Sequence, residues 1–212
     1  MDKQQEQLET LREIRSYMER SSRFLSLSGL SGVIIGIAAI TGVVAAYLYL
    51  GLSPGEPGYY NFATGVNGEP VPSFYTFMFA DVILVLIISL LAAGLLTMRK
   101  ARKKGTPAWD SSARRLLVNL AIPLVTGGLY CLALLYHGQI AFVAPATLIF
   151  YGLALVNASK YAIDDLRYLG TCQIITGLVA ALVPNYGLLF WAFGFGVLHI
   201  VYGITMYLKY EK

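Results

Sequence analysis

The sequence predicts an all-α polytopic membrane protein: six transmembrane helices in three hairpins, with both termini cytoplasmic. Three observations carry that prediction. Only 13% of the 212 residues are charged, against ~25% in soluble domains. The apolar residues, 57% of the chain, collect in six long runs instead of the 3.6-residue stripes of a soluble core. A six-helix path also puts all 16 Lys and Arg residues on one side of the bilayer, and the positive-inside rule makes that side cytoplasmic.

The first element, residues 1–24, reads as a cytoplasmic amphipathic helix. Leu8, Leu11, Ile14 and Met18 recur at spacings of three or four, with charges between them. Such a helix lies against the membrane or docks a partner. Five acids and five bases ahead of a long apolar run argue against a cleaved signal peptide.

The bundle is 25–208, with a cytoplasmic tail at 209–212. Its apolar runs are 25–50, 74–98, 116–136, 140–156, 168–183 and 187–208. About 20 residues cross a ~30 Å hydrocarbon core. The fourth and fifth runs are therefore short and need flanking residues or a thinner bilayer; re-entrant segments are the alternative there. On the first helix Ser28, Gly32 and Gly36 form a small-xxx-small stripe suited to close helix contact. On the sixth, Ala192, Gly196, His199 and Gly203 are spaced by four, three and four. That is one helical face, expected to point into the bundle and to carry His199 with it.

The external loop, 51–73, holds four prolines and five glycines, which excludes helix and central strand. Its Tyr59, Tyr60 and Phe62 predict that it folds back on the interface or the bundle. The basic loop, 99–115, is the kind that sets topology, so nucleic acid is not expected as a partner; the same charges attract anionic lipid. Asn157-Ala158-Ser159 matches a glycosylation acceptor but falls on the cytoplasmic side. Cys131 and Cys172 differ in depth by roughly 20 Å at 1.5 Å per residue, too far for a disulfide.

A parallel repeat runs through the hairpins: Gly36, Gly127 and Gly177 align in their first helices, and Gly152 with Gly203 in the second helices of the last two. The stretch LGTCQIITGLVAALVP followed by WAFGFGVLHIVYG resembles the HdeD-like acid-resistance membrane proteins. SSRFLSLSGLSGV is similar to a group of uncharacterised six-helix membrane proteins of the Bacteroidota. These resemblances imply six helices in three hairpins in a bacterial inner membrane, and neither supplies a catalytic residue.

No HExxH, GxSxG or P-loop is present, and no paired membrane carboxylates. The two histidines, His137 at an outer helix end and His199 near mid-bilayer, differ in depth by roughly 18 Å at 1.5 Å per residue. They cannot flank one haem iron, and a catalytic zinc needs three ligands, so neither a cofactor nor a metal is expected. Asp81 is the conspicuous residue, an acid within the apolar run YTFMFADVILVLIISLL. A mid-helix Asp costs roughly 2.5–3.5 kcal/mol on insertion scales, so it normally faces protein or water. With every base on the other side, its expected neighbours by depth are Tyr130, Thr147, Trp191 and His137. Two readings of function follow. The first is a non-catalytic membrane protein acting through the bilayer, a protein partner or a homo-oligomer in an envelope or stress role. The second is a small proton-linked transporter or channel using Asp81 and His199.

Overall fold

Each apolar run becomes a helix. The computed structural model describes Gln5, residues 28–103, Gly105, Trp109 and residues 111–212; apart from Gln5, the predicted amphipathic segment 1–24 lies outside them. Helix α1 is Gly29–Leu50, α2 is Pro72–Lys103 and α3 is Ser111–Tyr136. Span α4, Ile140–Tyr161, is an α-helix, Val143–Ala158, between two 3-10 turns. Helix α5 is Asp165–Leu182, and α6 is the Pro184–Tyr210 span. All but α5 are long and apolar enough to cross a membrane. Polar residues set α5 apart: Asp165 and Arg167 at its start, Gln173 and Thr176 within it.

The helices outrun the apolar runs. Helix α2 continues through Arg99, Lys100, Arg102 and Lys103, and α3 begins at Ser111, so much of the predicted 99–115 loop is helix. Lys and Arg are good helix formers, and their charge suits the negative C-terminal end of α2. Pro72 opens α2 just inside the predicted 51–73 loop, because the first helical turn has no use for the N–H that proline lacks.

Small residues decide which helices touch. One close seam joins α4 to α5, where Gly152 and Gly170 meet backbone to backbone: a Cβ on Gly152 would lie 2.6 Å from the Gly170 carbonyl oxygen. The α1–α6 seam is similar, with Gly32 against Gly203 and Gly36 against Gly196 and Ile200. Helix α2 leans on α1, where Gly42 accommodates Val85 and Asp81 and Tyr49 stacks on Phe77 at 3.9 Å. Helix α3 rests on α4 through Gly127 and Phe150. Within each of these pairs the helices run antiparallel. In lipid no hydrophobic force draws helices together, so close packing at small residues takes its place.

Pro123 lies inside α3. Having no N–H, it leaves the carbonyl four residues earlier, that of Asn119, without its helical donor. The Asn157 side chain of α4 supplies the missing bond, its Nδ2 donating to the Asn119 carbonyl at 2.8 Å. In hydrocarbon such a group must find an internal partner. Asn157→Ala is therefore expected to cost about 1–3 kcal/mol in detergent unfolding. Adding Pro123→Ala, which restores the N–H, should recover most of that loss. Equal effects of Pro123→Ala in the two backgrounds would show that the pair is not coupled.

The external loop meets the α3–α4 and α5–α6 turns at one end of the bundle, while Lys100 and Lys209 lie at the other. Tyr59, buried in the 3-10 turn Tyr59–Ala63, donates to the Ile140 carbonyl at 3.3 Å, and the Gly58 N–H donates to the Asn185 carbonyl at 2.8 Å. The predicted folding back of the 51–73 loop thus takes the form of a cap joining the α3–α4 and α5–α6 turns. At the opposite end Glu211 ties three helices together. It accepts from the Gly29 N–H at 2.6 Å and from Lys100 of α2 at 3.0 Å. Burial pushes the Glu211 carboxyl up, but these donors outweigh it and hold the group below its ordinary value. Lys209 pairs with Asp165 at 2.9 Å, joining the end of α6 to the start of α5.

Candidate functional site

The densest buried polar cluster surrounds His199. Span α6 is not a continuous α-helix: after Gly187–Trp191 it widens into a π-helix, Ala192–Leu198, and returns to α-helix at His199–Tyr210. Such wide turns recur at functional sites. The change of period corrects the predicted face. Gly196 and Gly203 point into the bundle as expected, where they meet α1, and Ala192 merely opens the wide turn, half-buried. The His199 ring leaves that face. Its carbonyl approaches Gly32 of α1, while the imidazole turns toward α4 and α5.

The ring is 2% exposed, and both nitrogens are engaged. Nδ1 lies 3.1 Å from the Gly194 carbonyl oxygen and Nε2 lies 2.8 Å from the Tyr151 hydroxyl. A carbonyl can only accept, so Nδ1 carries the proton and Nε2 accepts from Tyr151. Gln173 of α5, fully buried, donates through Nε2 to the same Gly194 carbonyl at 2.8 Å. Its Oε1 sits 2.6 Å from where a Cβ on residue 194 would stand, which explains the glycine there. Phe195 fills the remaining side, its ring centroid 5.0 Å from Tyr151 and 5.9 Å from His199. No carboxylate or cation contacts the ring among the described residues, and they hold no group of three or more His, Cys, Asp or Glu suited to a metal. The cluster spends its hydrogen bonds on joining α4, α5 and α6. Only the Gln173 Oε1 and the Tyr202 hydroxyl are buried without a partner among the described residues.

Asp81 lies elsewhere. It is half-buried in the α1–α2 seam, with its carboxylate oxygens 3.1 and 3.2 Å from the Cβ position of Gly42. None of its expected neighbours meets it. Tyr130 is half exposed and rests on Phe150, while Thr147 donates to the Ala144 carbonyl at 2.7 Å. Trp191 packs on Phe195, and His137 is exposed beside Tyr136. Tyr130 belongs to α3, Thr147 to α4 and Trp191 to α6, and His137 follows the end of α3, whereas Asp81 faces α1. Ser28 stands at the start of α1, its carbonyl accepting from the Ser31 hydroxyl at 2.6 Å, and belongs to the Glu211 end of the bundle rather than to the glycine seam.

Gln173, Tyr151 and Gly194 are the site residues that sequence reasoning passed over. One signal was available: Gln173 is an amide within an otherwise apolar stretch, and a buried amide needs partners. A separate groove of about 630 Å³ lies at the start of α3, lined by Trp109, Ser111, Arg114, Arg115, Val118 and Asn119. No family model, curated protein or solved structure matches the chain.

Proposed function

We propose that the chain is a non-catalytic integral membrane protein of a bacterial inner membrane, spanning it six times with both termini cytoplasmic. In this reading it acts through the bilayer and through protein partners in the envelope, and moves no substrate. One observation carries the reading: Asp81 and His199 occupy different seams, separated by the glycine contacts of α1 with α6. The imidazole already spends both nitrogens on Tyr151 and Gly194. A proton path through both residues would have to part helices that meet at their backbones. The collection of Lys100, Lys209 and the start of α1 at one end supports the common side assigned to the basic residues.

Reconstitution in vesicles holding a pH-sensitive dye tests this. Wild-type protein and Asp81→Asn should both show the proton leak of empty vesicles, and Asp81→Asn should fold and purify like wild type. A wild-type proton flux that Asp81→Asn abolishes would overturn the proposal in favour of transport.

A further inference from the structure

We infer that the groove at the start of α3 binds the headgroup of an anionic phospholipid. The inference rests on the membrane reading above and deepens its contact with the bilayer into a site. Arg114 and Arg115 line the groove, both exposed and without an ion pair among the described residues. Asn119 beside them is held from behind, its side-chain Nδ2 donating to the Arg115 carbonyl at 2.8 Å while Asn157 bonds its carbonyl. Guanidinium forks match phosphate oxygens in pairs, and Ser111 adds a hydroxyl donor. Trp109, 69% exposed at the mouth, is the residue type that settles at headgroup level.

What singles out a lipid over a free phosphate is the surface that leads away from the groove. Val118 lines it, and Ile122, Val125 and Leu129 follow at steps of four, three and four, which is one face of α3. All four are more than half exposed. Eleven residues of helix cover about 16 Å, roughly one leaflet of a ~30 Å hydrocarbon core. The groove therefore offers two cations at headgroup level and, continuous with them, an apolar track as long as an acyl chain.

The test uses the full chain carrying Trp191→Phe, which leaves Trp109 as the sole tryptophan, in phosphatidylcholine vesicles. Brominated phosphatidylglycerol or brominated phosphatidylcholine is added at equal mole fraction, and quenching of Trp109 is read. Phosphatidylglycerol should be preferred about tenfold, as two basic residues at a membrane surface allow. Arg114→Gln with Arg115→Gln should bring the preference close to unity, while Arg114→Lys with Arg115→Lys keeps part of it. A thermal midpoint matching the parent shows that the Gln variant is folded; if it is not, the Lys variant and a salt titration of the parent decide. Equal quenching by the two lipids would overturn the inference, as would a preference indifferent to the arginines. Displacement of phosphatidylglycerol by millimolar inorganic phosphate would overturn the lipid assignment and mark a soluble-anion site. None of these outcomes depends on proton flux, so this inference and the non-transport proposal fail separately.

Discussion

Gly152→Ala is expected to destabilise the bundle by about 3 kcal/mol, read as a lowered unfolding midpoint in detergent. The added methyl would stand 2.6 Å from the Gly170 carbonyl oxygen, 2.7 Å from Ile174 Cγ1 and 2.8 Å from the Ile174 backbone nitrogen. A side chain can rotate away from an intruder. A backbone can only move with its helix. The α4–α5 seam must then open, which loosens Leu148 and Gln173, both fully buried in this region. Lipid fills the gap without penalty, so nothing drives the helices back together. Gly170→Ala should act alike, since its methyl would stand 2.8 Å from the Gly152 carbonyl oxygen. The comparison that gives the test its edge is Gly128→Ala, on a helix surface with no atom within 4 Å. There the better helix propensity of alanine should leave stability unchanged or raised by up to ~1 kcal/mol. Equal midpoints for the Gly152 and Gly128 variants would refute the close-packed seam.

The second large effect is expected at Gln173. Truncation to alanine removes the amide donor from the Gly194 carbonyl and leaves a cavity at a fully buried site. Together these should cost about 3 kcal/mol. Gln173→Leu separates the two contributions by restoring volume without the donor, and should cost about 1 kcal/mol. His199 still donates to that carbonyl in both variants, so the residual bond limits the loss. Unfolding midpoints of the three proteins give the ordering wild type, Leu, Ala. If leucine proves better than glutamine, the amide clamp on the wide turn is not a source of stability.

The two predictions fall on residues that were unevenly legible beforehand. Gly36, Gly127, Gly152, Gly177 and Gly203 could be picked out as repeating small residues, because close helix approach in lipid demands small side chains wherever it occurs. Their partners could not, since spacing along one helix does not say which helix it will face. Gln173 is hard to read from sequence because an amide in an apolar run carries neither charge nor a titratable ring, and its partners lie on other helices. Asp81 shows the limit from another side. Counting residues from the helix end gave its depth, and therefore candidates at the same level. The direction in which it points depends on α2 packing against α1 at Gly42, a fact of two helices together. His199 was foreseen as a buried residue, but the wide turn of α6 rotated its ring away from the glycine face. In sequence Asn157 stands out only as part of a glycosylation triplet, whereas its work is to satisfy a carbonyl orphaned by a proline in another helix.

Membrane helices were readable one by one, because the bilayer asks each span separately for length, apolarity and internally satisfied backbone. Composition thus announced an all-helical chain with helices long and apolar enough to cross a membrane, the approximate limits of those helices and the small residues on which they would pack. Which seams those residues close, where Asp81 and His199 lie relative to one another, and how Pro123 and Asn157 compensate across helices emerged only on assembly. Each of those depends on the rotation of one helix about its axis relative to another, and lipid, being equally apolar on every side, leaves that rotation to contacts between helices.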